Sequence, residues 1–235
     1  MSHVMPPPCG AASGSLPPSG PLAPSTPGAP APGAPAPGAG APTPAPGGPT
    51  PGRPPELLRP AGGITLSRRS PDRSLALNAA VRANLDHLRP WLEWAAEAPT
   101  VARTAELTEA GTAAWDAGTD FIYLVGLDAE PGRVIGSFGL HRRIGPGALE
   151  IGYWVGTDHV GRGIATTAAR ALTEAAFALP GIDRVEIHCD PANTASAAVA
   201  RRLGFRLDRT VDAPVRAPGE TGRKQIWVQE RPPTP

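Results

Sequence analysis

The sequence predicts an α/β (α+β) domain with a mixed sheet. Three observations point there. Residues 149–179, LEIGYWVGTDHVGRGIATTAARALTEAAFAL, read as a strand, a glycine-bearing loop and a helix. Short strand-like runs separated by Gly/Pro turns precede that unit. A second strand–helix unit and a closing pair of strand-like segments follow it.

The chain opens on a different composition. Of its 235 residues 28 are Gly and 32 are Pro, and most of the prolines fall before residue 61. No Lys, Arg, Asp or Glu occurs before Arg53, and Gly-Ala-Pro-Ala-Pro at 28–32 repeats at 33–37. Such a segment buries too little to offset its ordering entropy, so residues 1–60 are expected to be a semi-stiff, proline-biased disordered tail. It lacks the basic start and apolar core of a signal peptide. No aromatic or basic residue marks it as a ligand for a proline-recognising domain, so an inert or solubilising extension is expected. A domain over 61–231 and a free end at 232–235 follow.

Element by element, Ile64 to Ser67 looks like a first strand. Asp72 to Leu88 reads as a helix, with Leu75, Leu77, Ala80, Val81 and Leu85 on the inner side. Trp91 and Trp94 stand three apart, which on a helical turn puts them on one face, either as core or as a channel wall. Thr100 to Gly118 is a further helix, with Gly118 as its C-terminal signal. Phe121 to Val125 and Val134 to Arg142 read as strands, and Gly145-Pro146-Gly147 turns the chain into the strand bearing Glu150. There Leu149, Ile151, Tyr153 and Val155 alternate with Glu150, Gly152, Trp154 and Gly156. Ala165, Ala168, Ala169, Leu172, Ala175, Ala176 and Leu179 form one apolar helical stripe, with Thr166, Arg170, Thr173 and Glu174 turned away, and Pro180-Gly181 stops the helix. Ile182 to Cys189 is a strand and 194–203 a short helix. Phe205 to Leu207 and Gln225 to Val228 form the last antiparallel pair.

The loop before the long helix carries the chemistry. A helix N-terminus presents unsatisfied N–H groups and the positive end of the macrodipole. Glycines at 161 and 163 let the backbone curl around an anion, so a phosphate or pyrophosphate is expected there, with Arg162 as a mobile cation at the rim. The run is neither a P-loop nor a dinucleotide fingerprint. On these grounds alone a plain strand–helix connection stays open.

Val160-Gly161-Arg162-Gly163-Ile164-Ala165 resembles the acyl-CoA-binding signature of the GNAT superfamily of N-acetyltransferases, Gln/Arg-x-x-Gly-x-Gly/Ala. Gly163 and Ala165 match; Val160 stands where Gln or Arg is usual. Glu150 to Trp154 and Gly161 to Thr166 resemble the RimJ/RimL-like branch, as does His87-Leu88-Arg89-Pro90-Trp91-Leu92-Glu93-Trp94. A second block, VEIHCDPANTASAAVARRLGF at 185–205, fits the family's spacing of Asn193, Ser196 and Gly204-Phe205. The Tyr that many members place seven after the Asn is replaced by Ala200. The resemblance implies a mostly antiparallel twisted sheet with helices on both faces and a V-shaped splay between two central parallel strands. It also implies acetyl-CoA as co-substrate and a primary amine acceptor, either a protein N-terminus of ribosomal type or a small molecule.

Under that resemblance, main-chain groups of Tyr153 and Val155, the loop from Val160 to Thr166, and Asn193 would hold the cofactor. Trp91 and Trp94 would border the acceptor. Glu150 is the first candidate base, on the view that apolar neighbours shift its carboxyl toward neutral pH. His141 is the alternative, with His188 and His159 as further options. Ser196 would donate to the departing sulfur. A non-catalytic acyl-CoA sensor, or a transferase using succinyl-CoA, is the competing reading, and a homodimer is left open.

Other classes are disfavoured. A net charge of +1 with no basic stripe argues against nucleic-acid binding. No apolar run is long enough for a membrane span. Cys9 and Cys189 make neither a disulfide framework nor a zinc spacing, which suits a reduced cytoplasmic setting, and no metal is expected. Cys189 lacks the paired histidine of a catalytic cysteine and is read as structural.

Overall fold

The computed structural model describes residues 52–233. The tail reading for 1–51, Cys9 with it, and the last two residues lie outside the described residues. The boundary at residue 61 falls inside packed structure. Strand β1 (Leu57–Leu58) pairs antiparallel with β2 (Ile64–Arg68). Just before it, the Tyr123 hydroxyl donates to the Pro55 carbonyl at 2.7 Å, and Gly52 lies against Pro180.

Eight strands form one sheet in the order β1-β2-β3-β4-β5-β6-β8-β7. The remaining strands are β3 (Asp120–Leu127), β4 (Gly136–His141), β5 (Ala148–Val155), β6 (Arg184–Cys189), β7 (Arg206–Asp212) and β8 (Arg223–Glu230). Every neighbouring pair is antiparallel except β5–β6. The helices are α1 (Ser74–Ala83), α2 (Leu85–Leu88), α3 (Val101–Ala117), α4 (Ile164–Phe177) and α5 (Thr194–Arg202).

Helices cover both faces. On one, α4 and α5 press Ile164, Ala168, Leu172, Ala197 and Ala200 against Tyr123, Leu140, Leu149, Ile151 and Ile187. Trp115 joins that core from the end of α3, edge-on to Phe121 and Tyr123 at 5.3 and 4.9 Å. On the other face, α1 and α2 bring Leu77, Val81 and Leu88 onto Leu124 and Trp154. Strand β5 is thus buried on both faces where one was expected: Trp154, on the polar side of the sequence alternation, is core beneath α1.

Local details depart from the sequence pattern for identifiable reasons. The helix expected over 72–88 breaks at Asn84. That residue's amide donates to Ala80 O at 2.8 Å, and its oxygen accepts from Thr157 N at 2.7 Å. Leu75, expected inside, is 67% exposed. Thr173, expected to face outward, is buried because its hydroxyl returns to Ala169 O at 2.8 Å. The 101–117 helix matches expectation: Thr100 caps its start through Arg103 N, and Gly118 at φ 73° ends it. Among the described residues no helix is long and apolar enough to cross a membrane.

Candidate active site

The parallel pairing of β5 and β6 is short. It joins Ala148, Leu149 and Glu150 to Arg184, Val185 and Glu186, then stops, while β5 runs on to Val155 and β6 to Cys189. From Ile151 onward β5 therefore has no strand partner on its β6 side, and its main-chain groups on that side border a wedge. The V-shaped splay expected from the resemblance is present.

Beyond the end of β5 the chain turns through Thr157–His159 and then curls. Gly161 and Gly163 both adopt the left-handed region, at φ 74° and 79°, which costs other residues roughly 1–2 kcal/mol. A Cβ at either would meet nothing within 4 Å, so these glycines serve the backbone path rather than relieving a clash. Gly163 caps α4 with no side-chain hydrogen bond. The first-turn N–H groups of Ile164, Ala165 and Thr166 are therefore uncapped by side chains, at the positive end of the helix. Val160 and Arg162 are exposed on the rim. A cavity of about 310 Å³ adjoins this turn, lined by Ala61, Gly62, Ile64, Leu127, Arg162 and Ile164. The donor set fits a diphosphate: main-chain amides, a mobile guanidinium and no acidic side chain in the loop from Val160 to Thr166.

Across the wedge on the α4 and α5 side, Tyr153 stacks on Phe138 with centroids 4.9 Å apart. Its hydroxyl lies 2.9 Å from Ser196 Oγ, and burial pushes its pKa up to about 12. Only the main chain of Tyr153 was singled out from the sequence; the side chain forms a hydroxyl pair with Ser196. Asn193 caps α5, accepting from Ser196 N at 3.1 Å, so its oxygen is committed and its amide hydrogens remain. Cys189 is free and buried, and burial pushes its thiol up, which disfavours the thiolate a nucleophile needs.

On the opposite face, β3, β4, β5 and β6 carry Asp120, His141, Glu150, Glu186 and His188. Glu150 does not sit in apolar surroundings with its pKa raised, as the sequence suggested. Burial does push it up, but Arg143 grips both its oxygens at 2.8 and 2.7 Å, and the net effect holds the carboxyl below its ordinary 4.5. His141 faces Glu150 across the β4–β5 pair and bonds Asp120 through Nδ1 at 2.5 Å. His188 bonds Glu186 through Nε2 at 2.6 Å, and its Nδ1 is 3.7 Å from Glu150. His159 is set apart: it is buried and tied to Glu130 at 2.9 Å, beside the glycine turn.

Because the folded pKa of Glu150 is depressed, its ion pair contributes stability above about pH 4.5, and that contribution is lost as pH falls through the lower folded value. Wild-type stability is expected to drop steeply below that pH and E150Q to show a shallower slope, read by circular dichroism across an acid titration. Parallel slopes would remove the pair from the acid response.

Trp91 and Trp94 do not share a helical face. Leu92 between them is extended, at φ −129° and ψ 105°, so Trp91 closes the turn after α2 and Trp94 sits in a separate 3-10 turn. Both are half-buried, and Trp94 packs on the α1–α2 cluster. The β7–β8 loop docks beside them. Gly219 N donates to Pro90 O at 2.8 Å, and a Cβ at Gly219 would stand 2.5 Å from that oxygen. Asp190, at the end of β6, accepts from Thr221 N at 2.7 Å. Sequence reasoning missed this clasp, Arg143, Asp120 and the Tyr153 hydroxyl. Only Arg143 left a local trace, a guanidinium seven residues before Glu150 across a tight hairpin.

A family model described as "Acetyltransferase (GNAT) domain" matches residues 70–206. The Bacillus subtilis strain 168 protein YdaF, named as a ribosomal N-acetyltransferase, is 43% identical over 56 residues, 24% of this chain and 31% of that protein. The chain thus aligns with about a third of that relative's length. Among solved structures, RimL, the ribosomal L7/L12 alpha-N-protein acetyltransferase in complex with coenzyme A, superposes with a TM-score of 0.68. That match has 24% identity over 74% of this chain and 98% of the other. Mycobacterium smegmatis RimJ, in complex with CoA-disulfide, gives 0.64 and 24% over 74% and 85%. These structural likenesses are of fold.

Proposed function

We propose, on the premise that this chain belongs to the GNAT acetyltransferase family, that it is an N-acetyltransferase moving an acetyl group from acetyl-CoA to a primary amine in a ternary complex. The observation that carries this is the wedge: β5 leaves β6 after Glu150, and the uncapped first turn of α4 stands beyond the free end of β5. A pantetheine arm laid along the wedge would bond the exposed β5 main chain around Tyr153 and Val155, with the Asn193 amide beside it. The diphosphate would meet the amides from Gly163 to Thr166.

The residues then divide the work. Main-chain donors aimed at the thioester oxygen stabilise the oxyanion, each worth about 3 kcal/mol when preorganised. Ser196, held by Tyr153, would protonate the departing thiolate. Glu150 and His141 are the candidates for receiving the amine proton. Trp91, Trp94 and the docked β7–β8 loop border the amine's approach. The acceptor class we favour is a protein N-terminal α-amine, supported by the names of YdaF and RimL, with small-molecule amines as the alternative. A reducing, cytoplasmic setting suits the free, buried Cys189.

The test is thiol release from acetyl-CoA against a panel of N-terminal peptides and small amines. Turnover with any of them supports the reading. Tight acetyl-CoA binding without thiol release would leave a binding module instead, and absence of binding would remove the reading altogether. S196A is expected to lower kcat by about 10- to 100-fold with the acetyl-CoA Kd little changed. Equal losses in kcat and affinity would make Ser196 a binding group instead.

A further inference from the structure

Resting on this acetyl-transfer reading, we propose that the amine proton is taken by His141 Nε2, that Asp120 is the residue positioning His141 as a base, and that Glu150, gripped by Arg143, is not the base.

The geometry selects His141 in three steps. A carboxylate only accepts, so the 2.5 Å contact between Nδ1 and Asp120 Oδ1 fixes a proton on Nδ1, and in the neutral ring Nε2 is then the nitrogen that carries the lone pair. Among the described residues, no group hydrogen-bonds to Nε2. The ring then lies over two glycines that face each other in register, Gly139 on β4 and Gly152 on β5. A Cβ at Gly139 would come within 2.6 Å of Nε2 and one at Gly152 within 3.2 Å. Any side chain at 139 would displace the ring. The bare nitrogen is thereby set against β5 at residue 152, two residues past the last β5–β6 pair, where the wedge opens.

The neighbouring candidates are engaged. Both oxygens of Glu150 accept from Arg143, and that pairing also keeps the carboxylate a weak base. His188 gives Nε2 to Glu186 and turns Nδ1 toward Glu150. The charged groups around His141 are thus Asp120 from β3, Arg143 from the hairpin, Glu150 from β5 and His188 from β6. These groups are buried, His141 at 6% and Glu150 at 8% exposure, so the amine would meet Nε2 along the wedge rather than from open solvent.

The step balances as follows. Nε2 takes one proton from the ammonium. The freed nitrogen lone pair forms the C–N bond to the thioester carbonyl, and the C–S bond breaks. The thiolate takes a proton from Ser196, which recovers it from the second proton shed by the new amide nitrogen. The proton on Nε2 leaves to solvent, so the products are an amide, free CoA thiol and one proton.

The test compares H141Q, D120N, D120E and E150Q in the full chain, with folding checked by circular dichroism and acetyl-CoA affinity by calorimetry. H141Q is expected to lower kcat about 100-fold or more, to abolish the acidic limb of the kcat/KM profile, and to leave the acetyl-CoA Kd within a few-fold. D120N places an amide where the carboxylate was, so that it can donate to Nδ1 and force the wrong tautomer. It is expected to approach the H141Q loss and displace the same limb, with D120E restoring part of the rate. E150Q is expected to show the smaller kcat loss and retain the limb. A wild-type enzyme that turns over while H141Q keeps more than about a tenth of its kcat, or while E150Q alone removes the limb, overturns the base assignment and leaves the transferase reading standing. A wild-type protein releasing no thiol with any amine overturns the reading beneath it.

Discussion

Replacing Gly163 with valine is expected to weaken acetyl-CoA binding by about 100-fold while leaving the fold intact. Gly163 sits at φ 79°, where a β-branched residue is strained by roughly 1–2 kcal/mol. The surrounding space is open, so the domain suffers no clash. The chain would relieve the strain by rotating out of the left-handed region, and that rotation swings the N–H groups of residues 163 and 164 away from a common focus. Hydrogen bonds to a charged group are worth about 1.5–3 kcal/mol each, and losing one or two gives the stated factor at 1.4 kcal/mol per decade. Calorimetric titration with acetyl-CoA decides it, beside a thermal melt. An unchanged Kd would place the diphosphate away from this turn.

W115A is expected to cost about 3–5 kcal/mol of stability, a large share of the roughly 5–15 kcal/mol available to a domain. Trp115 is 1% exposed, meets Phe121 and Tyr123 edge-on, and lies under the Arg68 guanidinium at 5.3 Å. It is the point where α3 locks onto the sheet. Removing it opens a cavity among β-strand side chains that cannot close without shifting backbone. Urea unfolding followed by far-UV circular dichroism measures the change. A loss under about 1 kcal/mol would mean the site collapses around the truncation.

What the sequence made legible was local. The glycines of the turn and the apolar stripe after them need only neighbouring residues to declare a strand–loop–helix unit, and the structure agrees to within a residue or two. Thr100 and Gly118 bracketed α3 for the same reason. The spacing of Asn193 and Ser196 located the start of α5, although capping by Asn193 was not foreseen. The polar face of the sheet was not legible in this way. Whether Glu150 sits among apolar groups or in an Arg143 grip depends on the hairpin register. That Asp120 meets His141 depends on where β3 pairs with β4. Tyr153 and Ser196 lie 43 residues apart and meet because α5 caps the wedge. The two tryptophans misled because spacing of three implies a shared face only if the backbone stays helical, and Leu92 does not.

The entry of the described chain has a practical bearing. Gly52 rests on Pro180, just past the end of α4, whereas the glycine turn proposed to hold the diphosphate lies at the start of that helix. Fourteen residues at 1.5 Å each separate the two ends by roughly 21 Å. A label, resin linkage or fused partner attached ahead of residue 52 therefore joins the folded unit about one helix length from that turn. Surface immobilisation through that end is expected to leave the glycine turn accessible.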